Sequence, residues 1–166
     1  EFEDGAVPKV NPPLRARSDR QALQEALVRG EIDAIASDHA PHSAEEKRQG
    51  ASGFVGLETT LALVLTEFVQ CGELPPLEAA RMMSTRPARI LGLPAGQISP
   101  GASADLVLID PHAEWQVRPS EFASLSRNTP FEGRDLRGRA VGTMIDGRLL
   151  HARDSLRSRL ENQQEK

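Results

Sequence analysis

The stretch that most constrains this chain is residues 32–42, which read IDAIASDHAPH. A mostly apolar run ends abruptly in Asp38, His39, Ala40, Pro41 and His42. The run lacks the alternation of a one-sided sheet, so residues 32–37 read as a buried strand. Parallel α/β enzymes present their chemistry at the C-terminal ends of such strands. A carboxylate and two imidazoles at that end make residues 38–42 the first candidate site.

The flanking segments fit this frame. Residues 9–15, KVNPPLR, hold two prolines that forbid a helix and keep the backbone extended. A rigid loop is the plain reading, and Asn11 before the prolines has a fixed direction. Residues 18–30 predict a helix, with Ser18 and Gln21 as a capping box. Leu23, Ala26 and Leu27 form its apolar face, and Gly30 stops it. Strand, helix, strand in this order is a βαβ unit and implies a parallel sheet.

Residues 43–52, SAEEKRQGAS, read as an exposed, mobile connection or a lid. Gly53, Phe54, Val55 and Gly56 follow; two glycines around an apolar pair allow close backbone approach to a ligand, and equally suit a turn. Residues 57–69 predict a helix with Leu57, Leu61, Val64, Leu65 and Phe68 on one stripe. Pro75 and Pro76 open a second helix through Met83, with Met82 and Met83 as core filler. A third, short helix spans residues 88–91. Cys71 reads as a small buried hydrophobe, and Arg86 and Arg89 as surface residues.

Near residue 93 the pattern changes. Pro94, Gly96, Pro100 and Gly101 interrupt it. Strands are expected at 104–109 and 115–117, and a hairpin at 141–150 around Asp146-Gly147. The organisation expected is therefore residues 1–92 as one unit, 93–152 as a small β module, and 153–166 as a charged, fraying tail.

Composition removes other function classes. The 166 residues carry 20 − 24 = −4 formal charge, which offers nucleic acid no electrostatic support. No apolar run approaches the ~20 residues that span a bilayer. A single cysteine excludes a disulfide within the chain and fits a cytoplasmic setting. The first residue is Glu1 rather than Met, and a piece of a longer protein is the expectation.

Asp38 carries the chemistry. A carboxylate at a strand end can ligate a metal and exchange a proton with water bound to it. His39 and His42 are three apart, but Pro41 between them breaks any helix that would align them. A self-contained zinc site needs three or four ligands, and His112 and His151 fall in the β module. The residues alone leave a functional site and a hydrogen-bonded structural loop both open.

Taken together, KVNPPLR, the helix, IDAIASDHAPH, the Glu45-Glu46-Lys47 triplet, ASGFVGLET and GQISPGASADLVLID resemble the C-terminal part of a bacterial type-I dihydroorotase, over about residues 10–150. The resemblance implies an α/β chain: the last two strands and following helices of a metal-dependent (β/α)8 TIM barrel of the amidohydrolase superfamily, plus part of a β-sandwich. It implies zinc-dependent, reversible hydrolysis of dihydroorotate to N-carbamoyl-aspartate, with a binuclear centre in the complete enzyme. By matching position, Asp38 is implied as zinc ligand and general base. Asn11, His42, Gly53, Phe54, Val55 and Gly56 are implied to bind substrate, and His39 to orient or pack. The family's other metal ligands have no counterpart here, so the chain is expected to be the C-terminal segment of a longer enzyme, inactive alone. A homodimer or a complex with aspartate transcarbamoylase are the implied partners. Two alternatives accompany this: an inactive dihydroorotase-like subunit that structures such a partner, and a related cyclic amidase of the dihydropyrimidinase or allantoinase kind.

Overall fold

The computed structural model describes residues 9–154, 156 and 157. It is an α/β arrangement with a small antiparallel sheet. Helices come first: α1 (Arg17–Val28), α2 (Ala44–Arg48), α3 (Thr60–Val64), α4 (Pro76–Ala80) and α5 (Arg86–Ile90). The sheet follows, as β1 (Leu106–Gln116), β2 (Asp135–Ile145) and β3 (Arg148–Ala152), in the order β1-β2-β3. No helix among the described residues is long and apolar enough to cross a membrane.

The first half differs from the expectation in several places. Helix α1 begins one residue before Ser18, with Ala16 in the extended N-cap position and no side-chain cap bond. Ser18 therefore sits inside the first turn, where its hydroxyl cannot cap. On α1 only Leu27 is buried, and Leu23 is 60% exposed. Residues 32–37 are extended but form no ladder with any described residue, and Asp33 and Ala36 are exposed. The parallel pairing predicted from a βαβ unit reduces to one bridge, between His39 and Phe54. With no strand beside it, the segment is held from the helical side. Ile32 and Ile35 pack on the first core, and the Ile35 amide donates to the Met82 carbonyl at 3.1 Å.

Residues 43–52 are not a structureless loop. Ser43 accepts from the Glu46 amide, and the Glu46 carboxylate accepts from the Ser43 amide, a reciprocal capping box that seeds α2. Helix α3 starts at Thr60 rather than Leu57, which is 65% exposed. It continues as a π-helical turn, Leu65–Val69. A second π-helical turn, Arg81–Thr85, joins α4 to α5, so the two helices expected there are one continuous rod. Pro87 sits in the first turn after that wide segment, where a missing backbone donor costs least. Cys71 is exposed, because the chain has left the helix and turned at Gly72 (φ 77°).

The β module is more extensive than predicted. The strands expected at 104–109 and 115–117 are one strand, β1, with an irregularity between Asp110 and Glu114 that takes up Pro111. The hairpin at Asp146-Gly147 is as expected, with φ of 48° and 75°. The tail expected to fray, residues 153–166, lies mostly outside the described residues.

Two apolar clusters share helix α3. Val64 belongs to the first, with Leu27, Leu74, Ala79 and Met82. Ala62 belongs to the second, with Val55, Val117, Phe122 and Leu136. The second cluster joins the sheet to the first half of the chain. Polar contacts reinforce it: the Glu58 carboxylate accepts from the amides of Ala123 (2.8 Å) and Ser124 (3.0 Å). Burial pushes the Glu58 carboxyl up, but the Ser124 and Ala123 amides, the Ser124 side chain and Arg127 outweigh it and hold it below the usual glutamate range.

Two measurements test this packing. A methyl group at Gly138 would meet the Leu65 Cδ1 atom at 2.2 Å, whereas one at Gly133 would meet nothing within 4 Å; both glycines have positive φ. By chemical denaturation, Gly133→Ala should cost about 1–2 kcal/mol of backbone strain. Gly138→Ala should cost a further ~1–3 kcal/mol of overpacking, and equal losses would refute the close contact. The lowered Glu58 carboxyl stabilises the fold above its unfolded-state pKa of about 4.3, and that contribution is lost as pH falls through the folded value. The stability gap between the protein and Glu58→Gln, measured by urea unfolding, should therefore shrink between pH 7 and pH 3; a constant gap would show that the charge is irrelevant.

Candidate active site

Asp38 closes the extended segment with a positive φ of 47°. Aspartate tolerates this left-handed conformation better than most residues, and such strain in a folded chain points to a functional constraint. The turn separates two directions. The Asp38 side chain is left exposed, and no described residue bonds its carboxylate. His39 turns back into the protein, where its Nδ1 accepts from the amides of Gly56 (3.2 Å) and Leu57 (3.3 Å). An imidazole nitrogen that accepts is unprotonated, so the His39 proton resides on Nε2. His39 thus orients the segment after Asp38.

The glycines of residues 53–56 serve that same approach. A Cβ at Gly53 would lie 2.5 Å from the Ala40 Cβ, and one at Gly56 would lie 2.5 Å from the Ser37 carbonyl oxygen. The close backbone approach read from the sequence is real, but its partner is the Asp38 segment. The Ala40 amide donates to the Phe54 carbonyl at 3.0 Å. Most amides of the segment are engaged inside the protein: Gly53 with the Lys9 carbonyl (2.8 Å), Val55 with the Asn128 carbonyl (2.9 Å) and Gly56 with His39. Val55 is fully buried and Phe54 stacks edge-on against Phe131 at 5.8 Å. The Val55 carbonyl receives no bond from any described residue.

His42 is half-buried and its ring is held on both sides. Its Nε2 lies 2.9 Å from the Ser52 carbonyl, so Nε2 carries the donated proton. Its Nδ1 faces the Glu46 carboxylate at 3.8 Å. The Ser43 amide, then the Ser43 hydroxyl, hold Glu46 below its usual range, with burial opposing them and His42 adding to the effect. Asn11 is exposed, two residues beyond the Lys9 carbonyl that receives Gly53.

The structure therefore gathers Asp38, His42 and residues 53–56 around one strand end, with Asn11 on the segment alongside. Sequence reasoning missed three contributors. Lys47 donates to the carbonyls of Ala51 (2.8 Å) and Gly53 (2.9 Å). Ser126 and Asn128 reach the same segments from more than 80 residues away. A polar Asn-Thr-Pro turn was their only signal.

An exposed carboxylate suits a metal ion, but a metal site needs more donors. No group of three His, Cys, Asp or Glu side chains able to hold a metal occurs among the described residues. The donors present do not by themselves fit a zinc centre.

Comparison with known proteins agrees with this geometry. The model of the amidohydrolase family matches residues 9–150. The chain is 50% identical over 146 residues to a dihydroorotase of Pelotomaculum thermopropionicum, covering 86% of this chain and 34% of that protein. It is 46% identical over 150 residues to a dihydroorotase of Anaeromyxobacter dehalogenans, covering 88% of this chain and again 34% of the relative. Among solved structures, it resembles an L-hydantoinase (dihydropyrimidinase) from Arthrobacter aurescens, with 34% identity and a TM-score of 0.83 over 89% of this chain and 35% of that one. A dihydropyrimidinase from Brevibacillus agri matches at 25% identity and a TM-score of 0.84, over 89% and 34%. The chain spans about a third of the length of the curated relatives it matches. With the family model matched from Lys9 to Leu150, and Asp38, His39 and residues 53–56 packed within that span, the chain belongs to the amidohydrolase family.

Proposed function

We propose that this chain is part of a dihydroorotase, which opens the cyclic amide of dihydroorotate to N-carbamoyl-aspartate and can run in reverse. The observation that carries this reading is the 50% identity to a dihydroorotase across 86% of the chain, a span that includes the Asp38 strand end. In this reading residues 1–92 are the C-terminal part of a TIM barrel, 93–152 part of a β-sandwich and 153–166 a tail. The enzyme works in the cytoplasm, as a homodimer or beside aspartate transcarbamoylase.

Asp38 is the general base and a metal ligand in this reading. Zinc, when bound with further ligands from outside the described residues, would polarise the amide and acidify a water. The Asp38 carboxylate takes the proton of the attacking water and returns one to the ring nitrogen as the C–N bond breaks. Its exposure, and the lack of a hydrogen-bond partner for its carboxylate among the described residues, leave it available for both transfers. His42, Asn11 and the backbone of Gly53, Phe54, Val55 and Gly56 hold the substrate.

A second reading, a cyclic amidase acting on hydantoins or dihydropyrimidines, is favoured by the fold match to the Arthrobacter L-hydantoinase. A substrate panel separates the two. The full-length enzyme should hydrolyse dihydroorotate and leave hydantoin and dihydrouracil untouched; the reverse preference would overturn the dihydroorotase reading.

In the full-length enzyme Asp38→Asn should lower kcat by about 10²–10⁴-fold, the usual worth of a placed acid-base group. Retention of more than roughly a tenth of the activity would remove Asp38 from the mechanism. The isolated 166-residue chain should bind no zinc tightly by equilibrium dialysis, since the described residues form no metal-binding group of three.

A further inference from the structure

Asn128 lies in the loop before β2, far in sequence from every residue assigned to the site. Its side-chain amide donates from Nδ2 to the Gly53 carbonyl at 2.9 Å. Its Oδ1 accepts from the His42 amide at 3.4 Å. Its own carbonyl accepts from the Val55 amide at 2.9 Å. Next to it, the buried hydroxyl of Ser126 donates to the His42 carbonyl at 2.7 Å. One residue thus contacts both segments that flank Asp38, and its neighbour grips one of them a second time.

The chemistry fixes which way the amide faces. A carbonyl at Gly53 requires a donor and an N–H at His42 requires an acceptor, so the inverted amide would lose both bonds. Aspartate would retain the acceptor toward His42 and set a carboxylate oxygen against the Gly53 carbonyl. Only asparagine satisfies both partners in this orientation.

We propose that Asn128 is a positioning residue for the substrate site: it sets the spacing between His42 and the backbone of residues 53–55 from a loop of the second half of the chain. This rests on the dihydroorotase reading for the identity of the substrate, but not for the positioning itself. Asn128 makes no hydrogen bond to Asp38 or His39, so its loss disturbs substrate binding more than proton transfer.

The test uses the full-length enzyme with Asn128→Ala, Asn128→Asp and Glu58→Gln. Glu58→Gln loosens the neighbouring loop at Ala123 and Ser124 without touching His42 or residues 53–56, and controls for general softening. Both Asn128 variants should raise KM for dihydroorotate by roughly tenfold or more with a smaller change in kcat, as expected when binding groups are displaced by a fraction of an ångström. Glu58→Gln should lower the melting temperature and leave KM alone. Amide hydrogen exchange supplies a readout free of activity: His42 and Val55 should exchange faster in Asn128→Ala and not in Glu58→Gln. Unchanged exchange and KM in a folded Asn128→Ala protein would overturn the proposal, as would an equal rise in Glu58→Gln. Failure of the parent enzyme on dihydroorotate, with the exchange pattern as expected, would instead overturn the substrate assignment. If Asn128→Ala does not fold, Ser126→Ala removes the hydroxyl that meets the His42 carbonyl and braces the Asn128 side chain and amide, and unchanged His42 exchange there would refute the clamp.

Discussion

The approach of residues 53–56 to the segment that ends in Asp38 is the contact on which the rest of the site depends. It works only because two side chains are missing. A methyl group on either Gly53 or Gly56 would come within 2.5 Å of atoms in the Asp38 segment, inside any tolerable contact distance. With hydrogen in those places, Ala40 bonds to Phe54, and His39 receives the amides of Gly56 and Leu57. His39 is then held by the protein while Asp38, one residue earlier and in the left-handed region, is turned outward. Two adjacent residues acquire opposite roles from one backbone turn.

This contact is supported from below by apolar packing. Val55, fully buried, carries the segment into the cluster of Ala62, Val117, Phe122 and Leu136. Burying a side chain of that size stabilises by about 1.5–3 kcal/mol, so the polar site above rests on an anchored base. Helix α3 supplies Val64 to one cluster and Ala62 to the other, which makes it the common wall of both. The loop carrying Ala123, Ser124, Ser126 and Asn128, held by Glu58, then converts this packing into direction, because hydrogen bonds weaken steeply when misaligned while apolar contacts do not.

Membership of the amidohydrolase family explains why a third of a relative's length still shows a coherent catalytic corner. The Asp38 turn, its glycine-rich neighbour and the loop that braces them all lie within the matched span. Among the described residues no group of three His, Cys, Asp or Glu side chains able to hold a metal stands with them.

Local chemistry was legible in the sequence. Proline and glycine punctuation marked the turns, Asp146-Gly147 marked the hairpin, and the break from apolar residues at Asp38 marked the left-handed turn that ends the extended segment. These signals concern residues close in sequence, where sterics and backbone preference act without help. The misplaced features all depended on distant partners. Residues 32–37 read as a buried strand because their composition is apolar, but burial and a ladder need neighbours on each side, and the described residues provide helix packing and a single bridge. A helix ending at Met83 and a short one at 88–91 read as two, yet a π-helical turn joins them. Residues 43–52 looked mobile because they are polar, although Ser43 and Glu46 were enough to cap a helix. Asn128 carried no local signal beyond a polar Asn-Thr-Pro turn. Its role exists only after folding, because a side-chain amide has direction only when its donor and acceptor partners have been brought to it from another part of the chain.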